Sequence, residues 1–208
     1  MVWNIPNILT LLRLLAAPGV AVMFLYFSRP WADWLALALF VGAAITDWFD
    51  GYLARLWKQE SRFGAMLDPI ADKAMVVIAI MVITGYSGMN PWLILPATVI
   101  LFREVFVSGL REFLGDRAHL LKVTKLAKWK TTAQMVAIAV LFLGTGLAYL
   151  ESGRPPRAGE GDLPPQVSWA GVANWIGLLL IWVAAVLTAA TGWDYFRKAL
   201  PYLRDEPK

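Results

Sequence analysis

Long apolar stretches separated by short polar segments dominate the pattern along this chain. A helix that crosses the hydrocarbon core needs about 20 mostly apolar residues. Six stretches reach that length, at about residues 8–28, 32–54, 66–87, 91–113, 131–150 and 172–194. The bilayer offers no partners to backbone groups, and β-barrel strands are much shorter than these stretches. The pattern therefore predicts an all-α integral membrane protein, with six transmembrane helices in a single domain over residues 1–208.

The composition agrees with this prediction and excludes several kinds of site. Of the 208 residues 59% are hydrophobic and 16% are charged, whereas a soluble domain is typically about one quarter charged. The chain has no cysteine and one histidine, His119. Disulfide frameworks, thiolate metal sites, cysteine nucleophiles and histidine-based triads are therefore excluded. We expect no nucleic-acid partner.

The distribution of lysine and arginine predicts the orientation in the membrane. Three basic residues, Arg29, Arg154 and Arg157, fall in the segments on one side. Twelve fall on the side that holds the 55–65 loop, the 114–130 loop and the C-terminal tail: Arg55, Lys58, Arg62, Arg117, Lys122, Lys125, Lys128, Lys130, Arg197, Lys198, Arg204 and Lys208. Because cytoplasmic loops carry the excess of basic residues, both termini are predicted to be cytoplasmic.

Several charged residues interrupt the predicted spans. They are Arg13, Asp47, Asp50, Asp68, Asp72, Lys73, Arg103, Glu104, Arg111 and Glu112. A charged side chain within a membrane costs about 2.5–3.5 kcal/mol at the helix centre on insertion scales. Such residues are functional candidates by default.

Four of these residues form an acid cluster near one membrane face. Asp47 and Asp50 are three residues apart at the end of the second span, and Asp68 and Asp72 are four apart at the start of the third. Each pair therefore lies on one helical face. Asp72 is about 21 Å from the outer end of its span, which places it near the cytoplasmic boundary. Carboxylate oxygens suit hard cations such as Mg²⁺ or Mn²⁺, with substrate phosphates completing the coordination shell.

A purely structural explanation of the acid cluster is the alternative. Asp68 would then cap a helix N-terminus, and another acid would pair with Arg55 or Lys73. These two roles leave part of the cluster unexplained, which favours the metal site.

A second group of charges is basic. Arg103 and Arg111 are eight residues apart and share a face of the fourth span, at about 17 and 29 Å from its outer end. Because this range brackets the depth of Asp72, the two guanidinium groups are predicted to bind the phosphate of a phosphorylated acceptor. Lys128 and Lys130 could reach the same anion. The alternatives are that Arg103 pairs with Asp72 or Glu104, and that the other cations only follow the positive-inside rule.

The spacing of the acids resembles a known family signature. Asp47-x-x-Asp50-Gly51-x-x-Ala54-Arg55, followed after eight residues by Gly64-x-x-x-Asp68-x-x-x-Asp72, is similar to the signature of the CDP-alcohol phosphotransferases, with every defined position filled. Six spans and cytoplasmic termini also agree with that family.

The resemblance implies roles for individual residues. Asp47, Asp50 and Asp68 would be metal ligands, and Asp72 would be both a ligand and the base for the acceptor hydroxyl. The CDP-lipid would be bound at Gly51, Ala54, Arg55, Ser61 and Gly64. Asn7 and Thr10 resemble a family segment that also contacts the nucleotide, although both could equally cap the first helix.

Further segments resemble the bacterial phosphatidylglycerophosphate synthase branch of this family. They are Arg103-Glu104, Ser108 to Glu112, Lys128 to Met135 and Phe63 to Lys73. The resemblance implies transfer of the phosphatidyl group of CDP-diacylglycerol to sn-glycerol 3-phosphate, with two Mg²⁺ or Mn²⁺ ions. It also implies a homodimer in the inner membrane with its active site facing the cytoplasm.

Two other functions stay open at this stage. A sister transferase would use an inositol phosphate, serine or a second lipid as the acceptor. A divalent-cation or proton transporter would also carry intramembrane acids. Transport predicts acids staggered through the bilayer, whereas all four aspartates here lie near one side.

Overall fold

Six helices account for the described part of the chain. The computed structural model describes residues 5–57, 61–115, 125–152 and 168–203, without the side chains of residues 5–6, 48–57, 62 and 125–128. The helices are α1 (Ile5–Tyr26), α2 (Trp31–Trp57), α3 (Arg62–Tyr86), α4 (Pro91–Leu114), α5 (Lys125–Ser152) and α6 (Trp169–Leu203). The predicted all-α architecture of six helices is confirmed.

The helices extend beyond the apolar stretches that predicted them. Most of the predicted 55–65 loop is helical, because α2 continues to Trp57 and α3 begins at Arg62. Ser61 caps α3 by accepting a hydrogen bond from the Gly64 N–H. Hydrophobicity marks only the part of a helix that lies in the membrane, and caps decide where the helix ends. The predicted 114–130 and 151–171 loops lie mostly outside the described residues.

Small residues allow the helices to approach closely. α1 packs on α2 and α3, α5 packs on α6, and α4 packs on α6. Several alanines in these helices are fully buried, among them Ala17, Ala36, Ala71, Ala79, Ala137 and Ala184. At Gly177 of α6 an added Cβ atom would lie 2.7 Å from Leu141 Cδ2 of α5. Interfaces of this kind are typical of membrane helices, which gain little from hydrophobic burial against lipid.

Large apolar side chains point outward instead. Phe102, Val105, Phe113 and Trp175 are each about 70% exposed or more. Within the described residues, four helices are long and apolar enough to cross a membrane: Asn7–Tyr26, Pro91–Leu114, Trp129–Ser152 and Trp169–Leu203. The outward apolar surface and these helices agree with a membrane protein.

An ion pair that the sequence pattern did not reveal connects three segments at one end of the bundle. Arg29, before α2, donates two hydrogen bonds to Asp33, which is fully buried, and one of 3.2 Å to the Thr145 carbonyl of α5. The hydrogen bond to Asp33 raises the pKa of Arg29 above its usual value. The pairing explains how a carboxylate can be buried at position 33.

Candidate functional site

Arg13 of α1 connects two acids of the predicted cluster. Its Nη1 atom donates a hydrogen bond of 2.8 Å to Asp72 Oδ1 of α3 and another to Asp47 Oδ1 of α2. The Arg13 side chain is 2% exposed, whereas those of Asp47 and Asp72 are 43% and 44% exposed. One buried cation therefore fixes two carboxylates that remain accessible to a ligand.

Thr10 holds the third described acid on the same side of α1. It lies three residues before Arg13, and its Oγ1 atom donates a hydrogen bond of 2.7 Å to Asp68 Oδ1. Positions three apart share a helical face. One face of α1 thus gathers Asp47, Asp68 and Asp72.

A polar contact between α1 and the start of α3 lies next to this face. Ser61 Oγ donates a hydrogen bond of 2.7 Å to Asn7 Oδ1. An added Cβ atom at Gly64 would lie 2.7 Å from the same oxygen, so glycine permits the approach of α1. Three predicted CDP-lipid residues, Asn7, Ser61 and Gly64, are therefore neighbours.

The structure decides between several alternatives from the sequence. Asp68 does not cap α3, because Ser61 does so seven residues earlier. Asn7 and Thr10 lie inside α1, which already includes Ile5, so they do not cap it either. Pairing of the acids with a cation does occur, through Arg13 for Asp47 and Asp72, whereas Lys73 bonds to Ser108. The predicted alternative partner Arg55 lies outside the described side chains.

Part of the predicted site lies outside the described side chains. Asp50, Gly51, Ala54 and Arg55 belong to the helical backbone of α2, and Lys128 belongs to α5, but their side chains are not described. Among the described side chains, no group of three acids or histidines has the geometry of a complete metal site. The chemistry of the donor set nevertheless fits a hard divalent cation, because Asp47, Asp68 and Asp72 supply carboxylate oxygens and the side chains of Asp47 and Asp72 remain partly exposed.

A cavity of about 230 Å³ adjoins the acid cluster. Helices α3, α4, α5 and α6 line it. The polar lining residues are Asp72, Lys73, Arg103, Glu104, Ser108, Arg111, Lys130, Thr131, Gln134 and Tyr195. The acid cluster has three described side chains, those of Asp47, Asp68 and Asp72. Of these three, Asp72 lines the cavity. It therefore joins the acid cluster to the cavity.

Glu104 organises the cations of this cavity. Its Oε1 atom accepts hydrogen bonds from Arg103 Nη1, at 3.1 Å, and from Lys130 Nζ. The predicted alternative in which Arg103 pairs with Glu104 is thus observed. Arg103 keeps one unused hydrogen-bond donor, because its buried Nε atom has no hydrogen-bond partner among the described residues.

Tyr195 of α6 holds the two arginines on one side of the cavity. Arg111 donates a hydrogen bond of 3.0 Å to the Tyr195 hydroxyl. The guanidinium carbons of Arg103 and Arg111 lie 5.6 and 5.3 Å from the centre of its ring. Cation–π contacts of this length position both groups without neutralising them.

The cavity carries a positive excess. Among the described side chains, four cations, Lys73, Arg103, Arg111 and Lys130, line it against two carboxylates, Asp72 and Glu104. The formal excess of two positive charges in this described lining matches a phosphomonoester dianion. Arginine in particular suits phosphate, because its planar donors can bind two oxygens at once.

Sequence reasoning missed several contacts of this site. Arg13 was recognised as an intramembrane charge, but its contacts with Asp47 and Asp72 were not predicted. Lys73 was considered only as the partner of one acid, whereas it bonds to Ser108. No sequence signal pointed to Tyr195. Gln134 lies within the Lys128 to Met135 segment that resembles the family branch, but no role was assigned to it, because an uncharged residue in an apolar helix does not reveal which neighbour it faces.

Gly192 of α6 offers a test of how tightly Arg103 is placed. An added Cβ atom there would lie 3.0 Å from Arg103 Cγ. If the cavity binds a substrate through Arg103, we expect Gly192→Ala to raise the KM for that substrate by about tenfold, because small displacements of a binding group are costly. Gly42→Ala is the control, since nothing lies within 4 Å of its added Cβ atom. An equal change in both variants would rule out this placement effect.

Comparison with known proteins adds independent information. The sequence model of the CDP-alcohol phosphatidyltransferase family matches residues 3–190. A relative from Cereibacter sphaeroides is 73% identical over 220 residues, covering 99% of this chain and all of the relative. Relatives from Salmonella choleraesuis and Pectobacterium atrosepticum are 40% and 39% identical, over 99% and 96% of this chain and 100% and 96% of their own lengths. All three are named CDP-diacylglycerol–glycerol-3-phosphate 3-phosphatidyltransferase.

Proposed function

Because the chain belongs to the CDP-alcohol phosphatidyltransferase family, we propose that it transfers the phosphatidyl group of CDP-diacylglycerol to sn-glycerol 3-phosphate. The products are phosphatidylglycerophosphate and CMP, in phospholipid biosynthesis. The observation that carries the proposal is the position of Asp72, which bonds to Arg13 in the acid cluster and also lines the cationic cavity. The names of the relatives support the choice of both substrates.

In this proposal the acid cluster binds the CDP-lipid. Asp47, Asp50, Asp68 and Asp72 would hold two Mg²⁺ or Mn²⁺ ions. Bound there, the ions would neutralise charge on the pyrophosphate oxygens. The remaining predicted CDP-lipid residues are Asn7, Thr10, Gly51, Ala54, Arg55, Ser61 and Gly64. Three of them support the proposal by their positions, since Asn7, Ser61 and Gly64 lie together beside the acids.

The proposed reaction is a direct displacement at phosphorus. The free primary hydroxyl of glycerol 3-phosphate attacks the phosphatidyl phosphorus, and the bond from that phosphorus to the CMP oxygen breaks. The Asp72 carboxylate takes the hydroxyl proton, and CMP leaves with the bonding electrons. A carboxylate is a weak base, but the hydroxyl becomes acidic as its bond to phosphorus forms.

The cationic cavity is the proposed acceptor site. Arg103, Arg111, Lys128 and Lys130 would bind the acceptor phosphate, and the two-charge excess of the lining favours a phosphorylated acceptor over serine. A volume of about 230 Å³ is large enough for a small polar acceptor such as glycerol 3-phosphate.

Product analysis tests the acceptor. The purified protein would receive CDP-diacylglycerol with glycerol 3-phosphate, inositol phosphate, serine or phosphatidylglycerol, and the lipids would be separated by thin-layer chromatography. We expect a lipid product with glycerol 3-phosphate, namely phosphatidylglycerophosphate, and no transfer to the other three acceptors. Equal product formation from inositol phosphate or serine would contradict the proposal.

A transport function is less compatible with α3. Beyond Asp72 and Lys73 its buried side chains are apolar, including Met75, Ile80 and Ile83. A transporter would need further acids along the helix to pass a cation or proton across the membrane. No described buried side chain of α3 beyond Asp72 is such an acid. The acids therefore suit a site at one end of the bundle rather than a path through it.

The proposed enzyme is a single catalytic domain in the inner membrane, with both termini and the active site facing the cytoplasm. Because the chain has no cysteine, single cysteines can report this orientation. In intact cells an impermeant maleimide should label Met89→Cys, in the α3–α4 turn. It should label Lys198→Cys only after permeabilisation. The reverse pattern would invert the orientation.

Homodimer formation follows the family resemblance and is also a proposal. Light scattering of the purified protein in detergent tests it. A protein mass of two chains is expected, and a mass of one chain would contradict it.

A further inference from the structure

Gln134 of α5 is a buried polar residue whose side-chain nitrogen lacks a hydrogen-bond partner in the described part of the protein. The residue is 1% exposed, and its Nε2 atom has no hydrogen-bond partner among the described residues. Buried polar groups in native proteins are almost always hydrogen-bonded, so an orphaned amide requires an explanation. A ligand that supplies the missing partner is one such explanation.

The position of Gln134 connects it to the proposed acceptor. It lies four residues after Lys130, so the two side chains share a face of α5. Both line the cavity that contains Arg103 and Asp72. Gln134 therefore adds an uncharged hydrogen-bonding group to a wall that otherwise offers mainly charges.

Two other uncharged groups in this wall already have partners. The Ser108 hydroxyl donates to the Glu104 carbonyl and accepts from Lys73, and the Tyr195 hydroxyl accepts from Arg111. The Gln134 Nε2 atom, by contrast, keeps unused donor capacity toward the described residues. A carboxamide nitrogen can donate to the oxygen of a hydroxyl group.

This inference rests on the proposed function. Glycerol 3-phosphate has three polar parts, namely its phosphate, its primary hydroxyl and its secondary hydroxyl. The cations match the phosphate, and Asp72 matches the primary hydroxyl that attacks. We propose that Gln134 binds the secondary hydroxyl and so selects glycerol 3-phosphate over phosphorylated alcohols that lack this group. A site built to bond a substrate hydroxyl rejects analogues without it, because its own polar group is then left unpaired.

A comparison of two substrates and two proteins tests the proposal. The analogue is 3-hydroxypropyl phosphate, which retains the phosphate and the primary hydroxyl but lacks the secondary one. The variant is Gln134→Met, which keeps the length of the side chain without its polar atoms. Steady-state kcat/KM would be measured for all four combinations, so that the cycle isolates the pairwise interaction.

The expected result is a loss that depends on the substrate. For glycerol 3-phosphate, Gln134→Met should lower kcat/KM by about 10- to 100-fold, as expected for losing a buried hydrogen bond. For the analogue, the wild type and the variant should have similar kcat/KM values. Val136→Met, an exposed neighbour on α5, is the matched control and should leave both values unchanged.

Two outcomes would overturn the inference while leaving the proposed function intact. One is an equal loss of kcat/KM for both substrates, which indicates a structural role. The other is an unchanged preference for glycerol 3-phosphate. If Gln134→Met does not fold, Gln134→Asn can replace it. This variant keeps the carboxamide on a side chain that is one methylene shorter, and it should also weaken the preference for glycerol 3-phosphate over the analogue. A wild type that releases no CMP with glycerol 3-phosphate would instead reject the proposed function itself.

Discussion

Replacing Asp72 with asparagine is expected to reduce turnover by at least about 100-fold, the typical lower contribution of a general base. Asparagine has nearly the same shape but cannot take the proton of the attacking hydroxyl. Arg13 retains its bond to Asp47 in this variant, so the site should keep its shape. The measurement is the steady-state rate of CMP release at saturating substrates.

Binding of CDP-diacylglycerol distinguishes a base from a residue that only binds substrate. The binding constant for CDP-diacylglycerol should change by no more than a few fold in Asp72→Asn. Asp194→Asn is the control, because Asp194 is an accessible carboxylate on α6 that pairs with Lys198. A loss of lipid binding as large as the loss of rate would contradict the assignment of Asp72 as the base.

Replacing Arg103 with glutamine is expected to lower kcat/KM for glycerol 3-phosphate by about 10- to 100-fold. A hydrogen bond to a charged group contributes about 1.5–3 kcal/mol, and each 1.4 kcal/mol corresponds to a factor of ten. Glu104 keeps its bond to Lys130 in this variant, so no buried carboxylate is left without a partner. Kinetics at varied acceptor concentration provide the measurement.

The effect of Arg103→Gln should be confined to the acceptor. The KM for CDP-diacylglycerol is expected to stay unchanged, because the described contacts of Arg103 are a hydrogen bond to Glu104 and a cation–π contact with the Tyr195 ring, and neither involves the acid cluster. Arg197→Gln removes the same kind of charge from an exposed position on α6 and serves as the control. Equal losses in the two variants would show that Arg103 has no specific role in binding the acceptor.

The sequence predicted the helices well because a membrane imposes a simple rule. Each apolar stretch long enough to cross the bilayer is a helix in the structure. The ends of the helices were less predictable. Capping by Ser61 and the continuation of α2 to Trp57 depend on local hydrogen bonds, and hydrophobicity does not report these.

For the candidate site, the sequence predicted which residue types belong together but not all of their partners. The spacing of Asp68 and Asp72 placed both on one face of α3. It did not indicate that Arg13 and Thr10 of α1 would contact these acids, because contacts between helices depend on packing. Likewise, Arg103 and Arg111 were expected to share a face of the fourth span. The sequence did not indicate that Glu104 would pair with both Arg103 and Lys130, because Lys130 comes from another helix.

The dependence of CMP release on each component tests the central claim most directly. Purified protein would be incubated with CDP-diacylglycerol in mixed micelles, and CMP would be measured with and without glycerol 3-phosphate and with Mg²⁺ or a chelator. We predict that CMP release requires all three components and equals the phosphatidylglycerophosphate formed, mole for mole. CMP release at the same rate without glycerol 3-phosphate, or no release when all three are present, would contradict the proposed function.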